Sequence, residues 1–270
     1  MKSIIYDEEI VKEFIKTLPA LINDEVRFIS LSARNKYLTN DDRCYYGLSR
    51  TEMFARKIIR NDEKFLTILK RIDISTPTYT TSNGLEIPRK AMVYYFNINP
   101  SSTIKAYHMF AKNMAQFSSE LLIASLGGKD TNTMMTKMRH GDIEYMNCIQ
   151  KARGSKHFID IDFDIDKEKD CYLLDKFIND MTSQNIYFFI IETRGGYHVV
   201  LKLSTIPKKF NLYELTHILD CGAKRSNDKN EIVINSNAMI PLPGTYQGGF
   251  KVRYFNREGF MRRNHEEMYV

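Results

Sequence analysis

Residues His157 to Asp166 read H-F-I-D-I-D-F-D-I-D, and this alternation constrains the chain more than any other stretch. A period of two is the spacing of a β-strand, whose successive side chains point to opposite faces. Ile159, Ile161, Phe163 and Ile165 share one face. Asp160, Asp162, Asp164 and Asp166 share the other, in register with Phe158. Aspartate is a poor strand former, and like charges at neighbouring same-face positions repel. A pair of divalent cations held between the carboxylates is the simplest compensation. The competing reading is an acidic edge strand that resists aggregation.

A second stretch belongs with the first. Tyr187 to Ile191 is an apolar strand that runs into Thr193-Arg194-Gly195-Gly196 and then a second strand, Tyr197 to Leu203, with His198 near its start. Two glycines let backbone N–H groups come close to a phosphate, and Arg194 adds positive charge. His198 is then a candidate donor to a phosphate oxygen, although a lone histidine on a strand is commonly structural. His157 reads as structural or peripheral.

In sequence order these residues resemble the archaeo-eukaryotic primase superfamily, which includes the primase-polymerases of phages and plasmids. Asp160-Ile161-Asp162 is similar to that family's acidic strand, Thr193 to His198 to its histidine hairpin, and Pro243-Gly244-Thr245 to a later turn. The resemblance covers roughly residues 90 to 255. It implies an α+β, two-lobed primase-like fold, with an N-terminal α/β lobe (1–150), an RRM-like βαββαβ catalytic lobe (151–270) and the active site in the cleft between. It also implies DNA-dependent nucleotidyl transfer of NTPs or dNTPs on a single-stranded DNA template, with Mg²⁺ or Mn²⁺ in a two-metal site. Asp160 and Asp162 would be catalytic metal ligands. A third carboxylate is expected downstream: Asp228 is preferred because Asp228-Lys229-Asn230 precedes a strand as in relatives, with Glu231 and Asp220 as alternatives. Relatives carry a basic residue near the nucleotide phosphates, just before the Pro-Gly turn. That position is apolar here, and Lys251 and Arg253, on one face of a later strand, are the candidates to replace it. Thr193, Arg194, Gly195 and His198 complete the expected nucleotide site.

Asn99, Ser101 and Lys105 would line the cleft, by resemblance to a strand–Asn-Pro–helix segment of the family. Ser101 or Ser102 capping a helix with a solvated Lys105 is the plainer reading. Arg34 and Lys36, with Tyr37, Arg43, Tyr45, Tyr46 and Arg50 nearby, suit a nucleic-acid backbone and stacked bases, or else a solvated loop. An RRM-like binding protein without polymerase activity is the rival to the enzyme.

Composition adds limits. The 270 residues carry a net charge of +6, which mildly favours a polyanionic partner. The four cysteines form no C-x-x-C pair, so neither a structural zinc site nor a disulfide framework is expected. No apolar run is long enough for a membrane span and no apolar signal core opens the chain. The expected setting is the cytoplasm of a bacterial host or phage-infected cell, and with no helicase attached a separate replicative helicase is an expected partner. Gly127-Gly128-Lys129 lacks Walker spacing and reads as a turn.

Along the rest of the chain, helices are expected over 7–18, over 51–71 from Phe54, Ile58, Phe65 and Leu69, and after Ser102. Strands are expected at Val26 to Leu31, Met92 to Phe96, Ile232 to Asn235 and Phe250 to Tyr254. Pro77 closes the 51–71 region, Ser82-Asn83-Gly84 suits a hairpin turn, and Met134, Met135, Met138 and Met146 read as core filler.

Overall fold

A computed structural model describes residues 3–75, 79–81, 83–128, 130–235 and 239–260. Pro77, Ser82, Lys129 and the tail arginines Arg262 and Arg263 lie outside the described residues. The fold is α+β with antiparallel sheets. Among the described residues no helix is long and apolar enough to cross a membrane.

The first half runs α1 (Glu8–Thr17), β1 (Glu25–Ala33), α2 (Asn40–Tyr46), β2 (Glu52–Ile59), α3 (Phe65–Ser75), β3 (Met92–Asn97), β4 (Ser101–Ser102), α4 (Thr103–Leu126), α5 (Asn132–Arg139) and α6 (Gly141–Lys151). Local chemistry sets several boundaries. The Asp7 carboxylate accepts from Glu9 and Ile10 N–H to start α1, and Ser102 Oγ accepts from Lys105 N–H at 3.1 Å to start α4. Thr39 and Asp42 form a reciprocal capping box at α2, where the sequence suggested a loop.

The expected helix over 51–71 is a correction: its first part is β2, antiparallel to β1, and only the 3-10 turn Asp62–Lys64 and α3 after it are helical. Phe54 and Ile58 have helical spacing, but β1 is buried along its whole length and needs a partner on that edge. The methionines also depart from expectation. Met146 packs against a buried cluster with Phe28 and Ile149, whereas Met135 on α5 is exposed.

The second half runs β5 (Phe158–Asp164), α7 (Cys171–Ser183), β6 (Phe188–Glu192), β7 (Tyr197–Lys202), α8 (Leu212–Ser226), β8 (Glu231–Asn235), β9 (Met239–Pro241), β10 (Tyr246–Gln247), β11 (Phe250–Lys251) and β12 (Arg253–Asn256). From β5 to β8 the order is βαββαβ. The sheet is ordered β12-β6-β7-β5-β8, all neighbours antiparallel, so β5 is an interior strand paired on both edges. That excludes the reading of an acidic edge strand.

The alternation in β5 does what its period requires. Ile159, Ile161 and Phe163 pack with Leu174, Phe177, Ile178 and Leu219 of α7 and α8. Phe158 lies on the other face with Phe189, Ile191 and Val200, and these join the first sheet in a shared core. Phe14 of α1 contacts both Phe96 and Phe189, each with ring centroids 5.8 Å apart. The two halves also exchange backbone: β9 pairs with β3, so the first sheet runs β2-β1-β3-β9, with β4 on β1. The 150/151 boundary therefore separates most of the two sheets but leaves β9 on the far side of the division.

Candidate active site

The aspartates of β5 point away from α7 and α8, toward the side occupied by the first half. Cross-strand register fixes their neighbours. Asp162 is opposite His198 on β7 and Val233 on β8; Asp160 is opposite Val200 and Asn235; Asp164 is opposite Glu231. Directly opposed residues share a face, so β5, β7 and β8 together present Asp160, Asp162, Asp164, His198, Asn235 and Glu231.

Asp160 is fully buried, and both its carboxylate oxygens lie near His198 Nδ1, at 3.0 and 3.2 Å. Nδ1 must carry the hydrogen and donate, since an ionised carboxylate only accepts. Asp162 is 3.7 Å from the same nitrogen, and its side chain is 39% exposed. Burial by itself pushes the His198 imidazole down, but the charges of Asp160, Asp162 and Asp164 together with the Asp160 hydrogen bond outweigh it and hold the ring up at about 9. Burial pushes the Asp162 carboxyl up, to about 6; His198 opposes that shift, Asp160 and Asp164 add to it, and Lys36 opposes it. The face is thus short of positive charge even with an imidazolium in it.

The Gly-Gly turn is built for close approach to β5. A Cβ on Gly196 would run into the Phe163 carbonyl, and one on Gly195 would lie 3.0 Å from Asp164 Oδ1. Thr193 is buried and its N–H and hydroxyl both donate to Gly196 O. The Arg194 N–H donates to Gln247 Oε1 at 2.7 Å and its guanidinium to Gly248 O at 3.0 Å. That guanidinium lies 5.0 Å from the Tyr37 ring centroid, and the Lys36 ammonium lies 5.7 Å from it. Lys36 and Arg194 therefore meet at Tyr37, and the Lys36 charge reaches Asp162. Gly248 has φ +59 and would strike Tyr37 with any Cβ, at 2.6 Å.

Other expected residues lie elsewhere. Asp228 is exposed in the turn before β8, three residues beyond Glu231, and the structure does not bring it beside Asp160 and Asp162. The turn is held on the helix side, where Asn230 Nδ2 donates to Asp170 Oδ2 and to Ala223 O. Asp220 is taken by Lys224 and by Ile232 N–H. Glu231 shares the face but sits at its Asp164 end. Lys251 and Arg253 do not share a strand: Lys251 is in β11 and Arg253 in β12, where Arg253 reaches Glu192 at 3.5 Å. β12 is three strands from β5, about 14 Å at ordinary strand spacing.

Arg34 donates to the Tyr95 hydroxyl and lies over that ring, so it is built into the first sheet while Lys36 stays exposed. Asn99 bridges the halves: Oδ1 accepts from His157 and Phe158 N–H at 2.8 and 2.9 Å, and Nδ2 donates to Phe158 O at 2.8 Å. Ser101 is buried beside Arg153, and Lys105 Nζ donates to Arg153 O. These three hold backbone at 153–158 rather than facing the aspartates.

Asn235 is the residue the sequence reading missed. It places an amide across from Asp160, a pairing visible only in cross-strand register. Among the described residues no three His, Cys, Asp or Glu side chains form a group that could hold a metal ion. Two carboxylates still suit Mg²⁺ or Mn²⁺, which bind through one or two protein carboxylates when substrate phosphates supply further oxygens. Comparison with family models, with curated proteins and with solved structures returns no match.

Proposed function

We propose that this chain is the catalytic core of a DNA-dependent primase or primase-polymerase of the archaeo-eukaryotic type, joining NTPs or dNTPs on a single-stranded template. One observation carries the reading: two carboxylates, two residues apart on an interior strand of a βαββαβ sheet, share a face with a histidine held by one of them. Asp160 and Asp162 would hold Mg²⁺ or Mn²⁺. When bound, such cations neutralise charge on the nucleotide phosphates and favour ionisation of an attacking hydroxyl.

The chain's own groups do the positioning. Asp160 fixes the His198 ring, keeping Nδ1 as donor, and Nε2 carries no hydrogen bond among the described residues. With the ring cationic at neutral pH, Nε2–H is a charge-assisted donor for a phosphate oxygen. Lys36 and Arg194 offset the phosphate charge from the Tyr37 side. A separate replicative helicase fits as a partner.

Asn235 favours a second reading, a protein of this fold that binds nucleotide or single strands without polymerising them, because an uncharged amide stands across from Asp160. Incorporation of labelled NTPs and dNTPs on a single-stranded template with Mn²⁺ or Mg²⁺, with and without primer, separates the two. Product that disappears in Asp160→Ala/Asp162→Ala supports the enzyme. Absence of product under all conditions sinks it.

A further inference from the structure

A cavity of about 630 Å³ opens between the first sheet and α6, within the size range of small-ligand sites. Phe28 and Met239 form part of its wall, and Phe28 packs with Cys148 and Ile149 of α6. None of Lys36, Asp160, Asp162, Arg194 or His198 lines it.

Its charge is one-sided. Lys151, at the end of α6, and Arg153 and Lys156, in the segment leading to β5, all line it, and no carboxylate does. Among the described residues none of the three side chains has a hydrogen-bond or ion-pair partner. Glu25 lies behind Gly154, but its carboxylate accepts from Ser155 N–H at 2.7 Å and Ile22 N–H at 3.4 Å. Asn147 gives its Oδ1 to Arg56 at 2.6 Å, which leaves its amide N–H groups as donors.

The backbone that carries these cations is clamped. Gly154 N–H donates to Pro100 O at 2.9 Å, Ser102 N–H donates to Ala152 O at 2.9 Å, and Asn99 holds His157 and Phe158. A Cβ on Gly154 would lie 2.9 Å from Glu25 Oε1 and 3.0 Å from Pro100 O, so glycine is what allows this approach. Three exposed cations carried on a clamped backbone around a concave wall with amide donors are matched by a polyanion of small radius, and phosphoryl groups have that character.

We infer that this cavity binds phosphoryl groups, of a free nucleotide or of a nucleic-acid strand, and does so without a divalent cation. The inference is independent of the polymerase reading. The test is calorimetric titration in EDTA with three probes: sodium tripolyphosphate, ATP and a five-residue oligothymidylate. The proteins are the wild type, Lys151→Gln/Arg153→Gln/Lys156→Gln and Asp160→Ala/Asp162→Ala. At least one probe binds the wild type, the triple variant loses affinity tenfold or more, and the aspartate variant stays within twofold.

Tripolyphosphate and ATP binding without oligothymidylate identifies a nucleotide site. Tighter oligothymidylate identifies a strand site, and there the triple variant also loses about 2 from the log–log salt slope. Arg153→Gln alone, at an exposed side chain, gives a smaller loss in a chain that melts as wild type and guards against misfolding of the triple variant. No binding in EDTA, binding unchanged in the triple variant, or binding lost with the aspartates overturns the inference. A chain that binds in EDTA and never incorporates nucleotide sinks the polymerase reading and leaves this one standing.

Discussion

His198 on β7 places Nδ1 3.0 Å from one carboxylate oxygen of Asp160 on β5 and 3.2 Å from the other, inside the protein. The two residues are not directly opposed; His198 stands across from Asp162 and leans along the strand to the buried carboxylate. One aspartate thereby orients the ring, and its neighbour two residues on remains open to a ligand.

Asp160→Asn removes the charge that holds the imidazole protonated. The His198 pKa is expected to fall from about 9, because only Asp162 and Asp164 then remain to oppose burial. A proton NMR titration of the ring in EDTA measures it. An unchanged value would mean that Asp160 is not the controlling partner.

The same pair sets a pH dependence of stability. His198 has its pKa raised on folding, so its contribution is fully present below about 6.5 and is lost as pH rises through about 9. Asp162 also has a raised pKa, so its ionisation removes stability between about 4 and 6. In EDTA the difference in melting temperature between wild type and His198→Gln should shrink from pH 6.5 to 9. A difference that grows over that interval contradicts the assignment.

Gly196→Ala should destabilise the protein by about 3 kcal/mol, because the new methyl group meets backbone at Phe163 that cannot turn aside. Gly195→Ala, whose nearest obstacle is the movable Asp164 side chain, should cost less. Urea unfolding at constant m-value gives both numbers, and equal losses would rule out this explanation.

Asn99→Ala leaves two backbone N–H groups at the start of β5 without their acceptor, at about 1–3 kcal/mol each. The expected signature is lower stability in urea unfolding, with any loss of oligonucleotide affinity following from the loosened backbone beside the cavity's cations. Weaker binding without loss of stability would instead restore Asn99 as a nucleic-acid contact.

Asn235→Asp puts a carboxylate across from Asp160. It should lower the melting temperature in EDTA, through repulsion on an already crowded face, and tighten Mn²⁺ binding measured by electron paramagnetic resonance. Weaker Mn²⁺ binding in the variant would show that this face is not where the cation sits.

The acidic strand was legible because its alternation is strict and both its faces have a fixed fate. The hairpin to His198 was legible because glycine punctuates it. β2 was not: Phe54, Ile58, Phe65 and Leu69 imitate a helix, and only the need of β1 for a partner makes a strand of 52–59. Asp228 was favoured from its place ahead of a strand, but register decides what faces Asp160, and register carried Asn235 there. Lys251 and Arg253 looked like one strand face because nothing local announces that Val252 separates two short strands in different sheets.

The return of β9 to β3 has a consequence for how this protein is made. The first sheet begins at residue 25, yet its last strand ends at Pro241. A nascent chain emerging from the ribosome therefore cannot complete its N-terminal half early and proceed to the next, as separable domains do. Phe14 and Phe96 must wait for Phe189, and Tyr95 and Phe96 for Pro241 and Ile240. Assembly is deferred until residue 241 has been made, and a truncated product ending before residue 239 lacks the strand that closes the first sheet.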